Sequence, residues 1–276
     1  MTPRKSLCFK ESTNRALSRD VMKIIITGVN SGIGKYLHSM IPSIGVTRSN
    51  PLVENVAVDV IIHCAFNSSK DITTHNLSSY MDDNIFLTNT LLKVKHKLFI
   101  FFSTVDVYHN KKKDSLESDV INLNSMSSFY ATTKLMSEEL VKKKSKKYII
   151  LRPTSMVGVD SRLNSFLRIV YNNNPRICIN KRSIMNFVLY EDIYRFIRMA
   201  INDNVVGIYN IASSENILIS EVAEYLSKKV SYGKYNYNVG FINNNKITKE
   251  CNLFDKSSRG VMKIFLKRRE KLSHIK

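Results

Sequence analysis

From residue 22 onward, short runs of apolar residues alternate with stretches in which apolar positions return every three to four residues. The segments "KIIIT" (23–27), "IGVT" (44–47), "VDVIIHCA" (58–65), "KLFIFFS" (97–103) and "YIILR" (148–152) are nearly continuous in apolar character. A strand with one wet face would alternate, so each predicts a strand covered on both sides. Between them the helical period predicts helices near 33–41, 76–94 and 128–146. Strands alternating with helices build a parallel sheet covered on both faces, a doubly wound α/β arrangement. After Pro153 the rhythm shortens to a helix near 162–172, a strand at "MNFVL", a helix at 191–202, a strand at "GIYNIA" and a helix at 220–230. These elements predict a smaller C-terminal lobe. The terminal "VMKIFLKRREKL" predicts a basic amphipathic helix that packs on the body or lies on a membrane surface.

The formal net charge of +19 brings nucleic acid into consideration, because clustered Lys and Arg neutralise phosphates. The basic residues are instead spread over the whole chain among many Asn, so a solvated surface is expected and no nucleic-acid partner. Cys8, Cys64, Cys178 and Cys251 have no metal-ligand or CxxC spacing, which predicts free thiols in a reducing compartment and no metal. No apolar run reaches the roughly 20 residues that cross a bilayer. With no secretory pattern either, the expected setting is cytoplasmic, without a membrane partner. Residues 1–21 are polar and basic up to Met22, and are read as a disordered leader, an upstream start site or an organelle-targeting peptide.

Chemistry enters with "TGVNSGIG" (27–34), between a buried strand and a helix. There the amides of Asn30, Ser31, Gly32, Ile33 and Gly34 and the helix N-terminus would converge on an anion such as a pyrophosphate. Gly28 permits the tight turn, Gly32 the approach of phosphate to the backbone, and Gly34 close packing of helix on strand. Steric need alone would also place glycines there. Tyr130 and Lys134 in "YATTK" share one helix face, where an ammonium would draw the phenol pKa down and fit it for proton transfer; a surface Lys beside a packing Tyr has the same spacing. Ser103 and Thr104 end the strand "KLFIFFS", at the carboxyl edge where open α/β sheets bind ligands.

With these motifs in order, the sequence resembles the short-chain dehydrogenase/reductase superfamily, and within it the extended NAD(P)-dependent epimerase/dehydratase family that acts on nucleotide sugars. The resemblance runs from about Met22 to Val230 and rests on "ITGVNSGIG", "DVIIHCAF", "DDNIFLTNTLL", "FIFFSTVDVY", "YATTK", "ILRPTSMVG", "FVLYEDIYRFI" and "GIYNIAS". It implies a Rossmann-type dinucleotide-binding domain over 22–152 and a substrate-binding lobe over 153–276, interleaved with the sheet. It implies Tyr130 as acid/base, Lys134 as the residue holding the nicotinamide ribose, and Thr104 as the hydroxyl bonded to the reacting oxygen. Ser103 is a weaker neighbour. His63, Cys64 and Ala65 would run under the cofactor, mainly through backbone, Asn84 would organise the site, and Pro153, Thr154 and Ser155 would lie beside the nicotinamide. Asp192 reads as a helix cap. A homodimer through the helices 76–94 and 128–146 is also implied.

Three departures qualify the resemblance. The spacing TGxxxGxG is that of the single-domain branch of the superfamily. Arg48 to Val56 is too short for a third strand and its crossover helix, so one strand-helix unit is missing after the second strand. The adenine pocket then falls to Asp59 or to residues near Asn67. The second strand ends in Thr47 and Arg48 without an acid to bond a ribose 2′-hydroxyl, which favours NADP(H) over NAD(H); Arg48 could equally be a plain surface residue. Third, "TVD" (104–106) lacks the Thr-Asp-Glu run of the family's dehydratases, although Asp106 could still serve a proton, and the loop lacks the Cys of the GDP-fucose synthase type. Reduction of a keto-sugar is the expected reaction. C4 epimerisation, or a noncatalytic dinucleotide-binding regulator, stays open. Arg176, Lys181 and Arg182 are candidates for the substrate diphosphate.

Overall fold

The computed structural model describes residues 22–51, 56–69, 71–108, 114–126 and 128–273. The leader assigned to residues 1–21 lies outside the described residues. Six strands form one wholly parallel sheet: β1 (Ile24–Thr27), β2 (Ile44–Val46), β3 (Val58–His63), β4 (His96–Phe102), β6 (Tyr148–Pro153) and β11 (Gly207–Ile211). Their order is β11-β6-β4-β3-β1-β2. Among the described residues no strand or helix lies between β2 and β3, and β2 forms the sheet edge with β3 on the far side of β1, in keeping with a missing strand-helix unit. Smaller ladders pair β5 (Asp114–Ser115) with β14 (Phe241–Ile242), β7 (Ser155–Val157) with β10 (Phe187–Leu189), β8 (Arg176–Ile179) with β13 (Ser231–Tyr235), and β9 (Ile184–Met185) with β12 (Ile217–Leu218).

The continuous apolar strands divide their side chains between two cores with the two-residue period of a strand. Ile24, Ile26, Val60, Ile62, Leu98, Ile100 and Phe102 face α1 (Gly32–Met40) and α6 (Tyr190–Asn202). Ile25, Ile61, Phe99 and Phe101 face the opposite way, toward α3 (Leu87–Leu91) and α4 (Phe129–Lys144). The helix expected over 76–94 is broken into α2 (Leu77–Met81), a π-helical turn over Asp82–Phe86, and α3. α5 (Ser165–Tyr171), α7 (Ile219–Tyr225), α9 (Ser258–Ser273) and β8 enclose a second apolar cluster, while α8 (Asn245–Glu250) packs Ile247 into the first. The terminal helix buries Val261, Met262 and Phe265 in that second cluster, so its apolar side packs on the body. The helix expected over 220–230 stops at Tyr225, because Ser227 adopts a left-handed φ of 51° and the chain enters β13.

Candidate active site

All six strands are parallel, so their carboxyl ends share one rim, and the loops leaving β1, β3, β4 and β6 meet there. At the β1–α1 turn, Gly28 and Gly32 take φ values of 74° and 62°, which a side chain would strain. A Cβ on Gly28 would lie 2.8 Å from the Ala65 nitrogen, and one on Gly34 only 2.4 Å from the Gly28 carbonyl oxygen. The first turn of α1 therefore sits directly on the strand end. Ser31 precedes it without capping it through its side chain.

Thr27, which the sequence did not single out, ties this turn to the loop after β3. Its hydroxyl oxygen accepts from the Cys64 and Ala65 amides at 3.1 and 3.0 Å and pairs with His63 Nδ1 at 2.8 Å. With its lone pairs taken, the Thr27 hydroxyl donates to Nδ1. His63 Nε2 meets Thr88 Oγ1 at 3.0 Å, and the Thr88 hydroxyl donates to the Asn84 carbonyl. The neutral tautomer carrying its proton on Nε2 satisfies the whole chain. Burial, aided by the charge of Lys134, pushes the His63 pKa down to about 3, which keeps the ring neutral. His63 thus faces the core, and what it presents to the groove is backbone. Asn84, wholly buried, clamps the same loop: its amide nitrogen donates to the Asn67 carbonyl and its oxygen accepts the Asn67 amide. The π turn brings Asp83 to that loop as well, where it accepts from the Asn67 side chain at 3.0 Å.

The groove wall near β2 differs from expectation. Asp59 is not part of it: as the second residue of β3, at the amino end of the sheet, it accepts from the Lys23 amide and pairs with Lys97. The strand end is not without an acid either, since Asp83 receives the Arg48 guanidinium at 2.5 Å. No local pattern around Arg48 could have announced a carboxylate 35 residues away.

Ser103 and Thr104 part company at the end of β4. Ser103 continues the side of Phe99 and Phe101, and its hydroxyl donates to Glu138 on α4 at 2.5 Å, so it serves the interior rather than the rim. Glu138 also accepts Nε and Nη2 of buried Arg152, whose Nη1 donates to the Tyr108 hydroxyl, which in turn donates to Asn210. Thr104 is the residue beside Tyr130: it caps a short 3-10 turn over Val105–Val107, and its hydrogen bond acts on the Tyr130 phenol.

Tyr130 and Lys134 share the α4 face expected of them, with a different electrostatic result. Lys134 is 3% exposed. Its ammonium donates to the Phe102 carbonyl at 2.5 Å, lies 3.5 Å from the centre of the Phe66 ring, and stands 6.0 Å from that of Tyr130. Phe66 meets Tyr130 edge to face, 5.5 Å between centroids. Burial pulls Lys134 down to about 7, opposed by Cys64 and Glu138. Burial and the Asp106 carboxylate push the Tyr130 phenol up, against weaker help from Thr104 and Arg162. The expected lowering of Tyr130 by Lys134 is therefore overturned in this state, because the amine is turned onto a carbonyl and an aromatic face.

Past Tyr130, Asp106 accepts from the Tyr237 hydroxyl at 3.3 Å, and Tyr237 also borders a 520 Å³ cavity. Ser155, Asn164, Arg168, Arg176 and Tyr235 are among its lining residues. Arg176, a candidate for the substrate diphosphate, borders this cavity. Lys181 and Arg182 are not in the lining, and Arg168, on α5, was missed because nothing in a short helix marks which face meets a cavity. Pro153 ends β6 opposite Ile211, and Thr154 donates to Asn186 in the interior. Asp192 lies in the first turn of α6, buried against Lys256.

The family model for the NAD dependent epimerase/dehydratase family matches residues 43–212, more than half of the chain. The chain belongs to that family. No curated protein sequence matches it. Among solved structures, the UDP-glucuronic acid 4-epimerase of Bacillus cereus, in complex with UDP-glucuronic acid and NAD, is 20% identical, with a TM-score of 0.68 over 91% of this chain and 100% of that one. The dTDP-4-dehydrorhamnose reductase of Bacillus anthracis, in complex with NADP, is 16% identical, with a TM-score of 0.72 over 90% and 99%. An NDP-hexosamine 5,6-dehydratase of tunicamycin biosynthesis is 15% identical, with a TM-score of 0.73 over 91% and 98%. These likenesses show a shared Rossmann-type fold. The family match begins after the glycine turn, so the geometry of that turn is independent of it.

Proposed function

We propose that this protein is an NAD(P)-dependent enzyme acting on a nucleotide sugar, and that its reaction is the reduction of a keto-sugar. The observation that carries the proposal is the placing of Thr104, Tyr130 and Asp106 together at the rim, next to a cavity that holds two arginines. A cavity of 520 Å³ is within the range of small-molecule sites, and Arg168 and Arg176 suit a diphosphate. The glycine turn suits a pyrophosphate, since Gly28 and Gly34 let α1 start directly on the strand end, and the first amides of a helix have no partner within it. The amides from Asn30 to Gly34 would hold it. The backbone of Cys64 and Ala65, fixed by Thr27, would lie beneath. Lys134, Pro153 and Ser155 would flank the nicotinamide end, and Arg48 and Asn67 the adenosine end.

The bound nicotinamide would supply the hydride. Thr104 holds the reacting oxygen by hydrogen bond, and Tyr130 gives it a proton as negative charge develops. The acidity this requires depends on freeing the Lys134 ammonium from under Phe66. Arg48 favours a 2′-phosphate once it leaves Asp83, whereas Asp83 itself favours a free 2′-hydroxyl, so NADP(H) is proposed over NAD(H) on the strength of Arg48 alone. Phe66 also favours a second reading, a dinucleotide-binding protein without turnover, because its ring covers the amine that the chemistry needs. Turnover of a panel of nucleotide keto-sugars with NADPH and NADH, in wild type and Tyr130→Phe, separates the two. Reduction abolished by the substitution, with NADPH binding kept, supports the enzyme; no turnover with any member in wild type refutes it.

A further inference from the structure

Arg162 belongs to neither the cavity nor the catalytic pair. It projects from the loop between β7 and α5 across to the opposite side of the groove. Its Nε and Nη2 donate to Ser31 Oγ at 3.2 and 2.9 Å, and Nη1 reaches Ser68 Oγ at 3.5 Å. Ser31 stands immediately before α1, and Ser68 lies in the loop after β3, so one guanidinium spans both walls of the glycine cradle. Its loop is built to lie there. Lys35, in the first turn of α1, pairs with Asp160 at 2.7 Å, and Gly158 lets the backbone rest on Tyr190, where a Cβ would come within 2.4 Å of the ring. The Tyr190 hydroxyl closes the floor, 3.4 Å from where a Cβ on Gly32 would be.

The chemistry of these contacts is unequal. Among the described residues, the side-chain partners of Arg162 are two neutral serine hydroxyls, one at the limit of hydrogen bonding, and the nearby Asp160 carboxylate is already engaged by Lys35. An exposed guanidinium opposite the positive end of a helix, with only neutral acceptors between them, offers an anion donors on two sides. A phosphate diester is a far stronger acceptor for both.

We propose that Arg162 binds the dinucleotide pyrophosphate from the side opposite the α1 amides, exchanging its serines for phosphate oxygens, so that the 158–164 loop clamps the cofactor against the cradle. This rests on the dinucleotide reading above and assigns to the second half of the chain a cofactor contact that no motif marks. Being a pyrophosphate contact, it acts equally on NADPH and NADH.

Calorimetric titration of both dinucleotides into wild type, Arg162→Ala and Arg162→Lys, at low and high salt, tests the assignment. Loss of a charge-assisted bond predicts roughly tenfold to hundredfold weaker binding of both cofactors by the alanine variant, with a shallower salt dependence. Lysine restores part of it, having the charge without the fork. Melting of the free proteins supplies the readout for a merely structural latch. Lower stability with unchanged affinity, or wild-type affinity throughout, overturns the clamp. Weakening confined to NADPH overturns the pyrophosphate assignment in favour of the 2′-phosphate. If wild type binds neither dinucleotide, the dinucleotide reading falls and the clamp with it.

Discussion

Lys134 gives the sharpest prediction, because its burial has a pH signature. An unfolded lysine titrates near 10.5, whereas burial draws the native one to about 7. Between these values the unfolded chain holds a proton that the native state lacks, so stability rises with pH across the window and falls as pH drops from 10.5 toward 7. Each pH unit inside the window is worth about 1.4 kcal/mol. From pH 7.5 to 9.5, allowing for partial titration at both ends, wild type gains about 2.5 kcal/mol from this group. Lys134→Met keeps an unbranched side chain only one atom shorter and removes the titrating group, so it lacks the gain. The Phe102 carbonyl and the Phe66 face favour the ammonium and draw the effect toward smaller values. Urea unfolding of both proteins at pH 7.5, 8.5 and 9.5 measures it, followed by circular dichroism because the chain has no tryptophan. Other titrating groups are common to both proteins and cancel in the difference. A stability difference constant with pH would show that the ammonium is solvated or stays charged, and the account of the sealed amine would be wrong.

Two further predictions test the supports of the site. Glu138→Gln leaves the Arg152 charge buried with only neutral acceptors, the glutamine amide oxygen and the Tyr108 hydroxyl, and destabilises the protein by about 3 kcal/mol in urea unfolding; adding Arg152→Met recovers part of the loss, since an apolar side chain there needs no compensating charge. Gly34→Ala drives a Cβ against the Gly28 carbonyl and costs about 3 kcal/mol along with dinucleotide binding, while Gly260→Ala, whose Cβ meets nothing nearer than 3.5 Å, leaves the melting temperature equal or higher.

Much of the frame was legible along the chain. The five apolar runs of the first 152 residues all became strands of one parallel sheet; β1, β3, β4 and β6 are covered on both faces, as their unbroken apolar texture requires, whereas β2 lies at the sheet edge and leaves Ile44 exposed, against the covering on both sides expected of it. The shortage of residues after Arg48 correctly foretold a missing strand-helix unit, since chain length limits a crossover regardless of packing. The place of Tyr130 and Lys134 on one helix face follows from the helical period alone. What these residues do to one another does not. Tertiary packing set Phe66 over the Lys134 ammonium, turned Ser103 inward onto Glu138, carried Asp83 to Arg48 through a π turn, and laid Arg162 across the cradle from 131 positions away. Local sequence fixes which face of an element a side chain occupies. Its electrostatic environment is the sum over groups brought near by other elements, and in a dry interior those groups decide the charge.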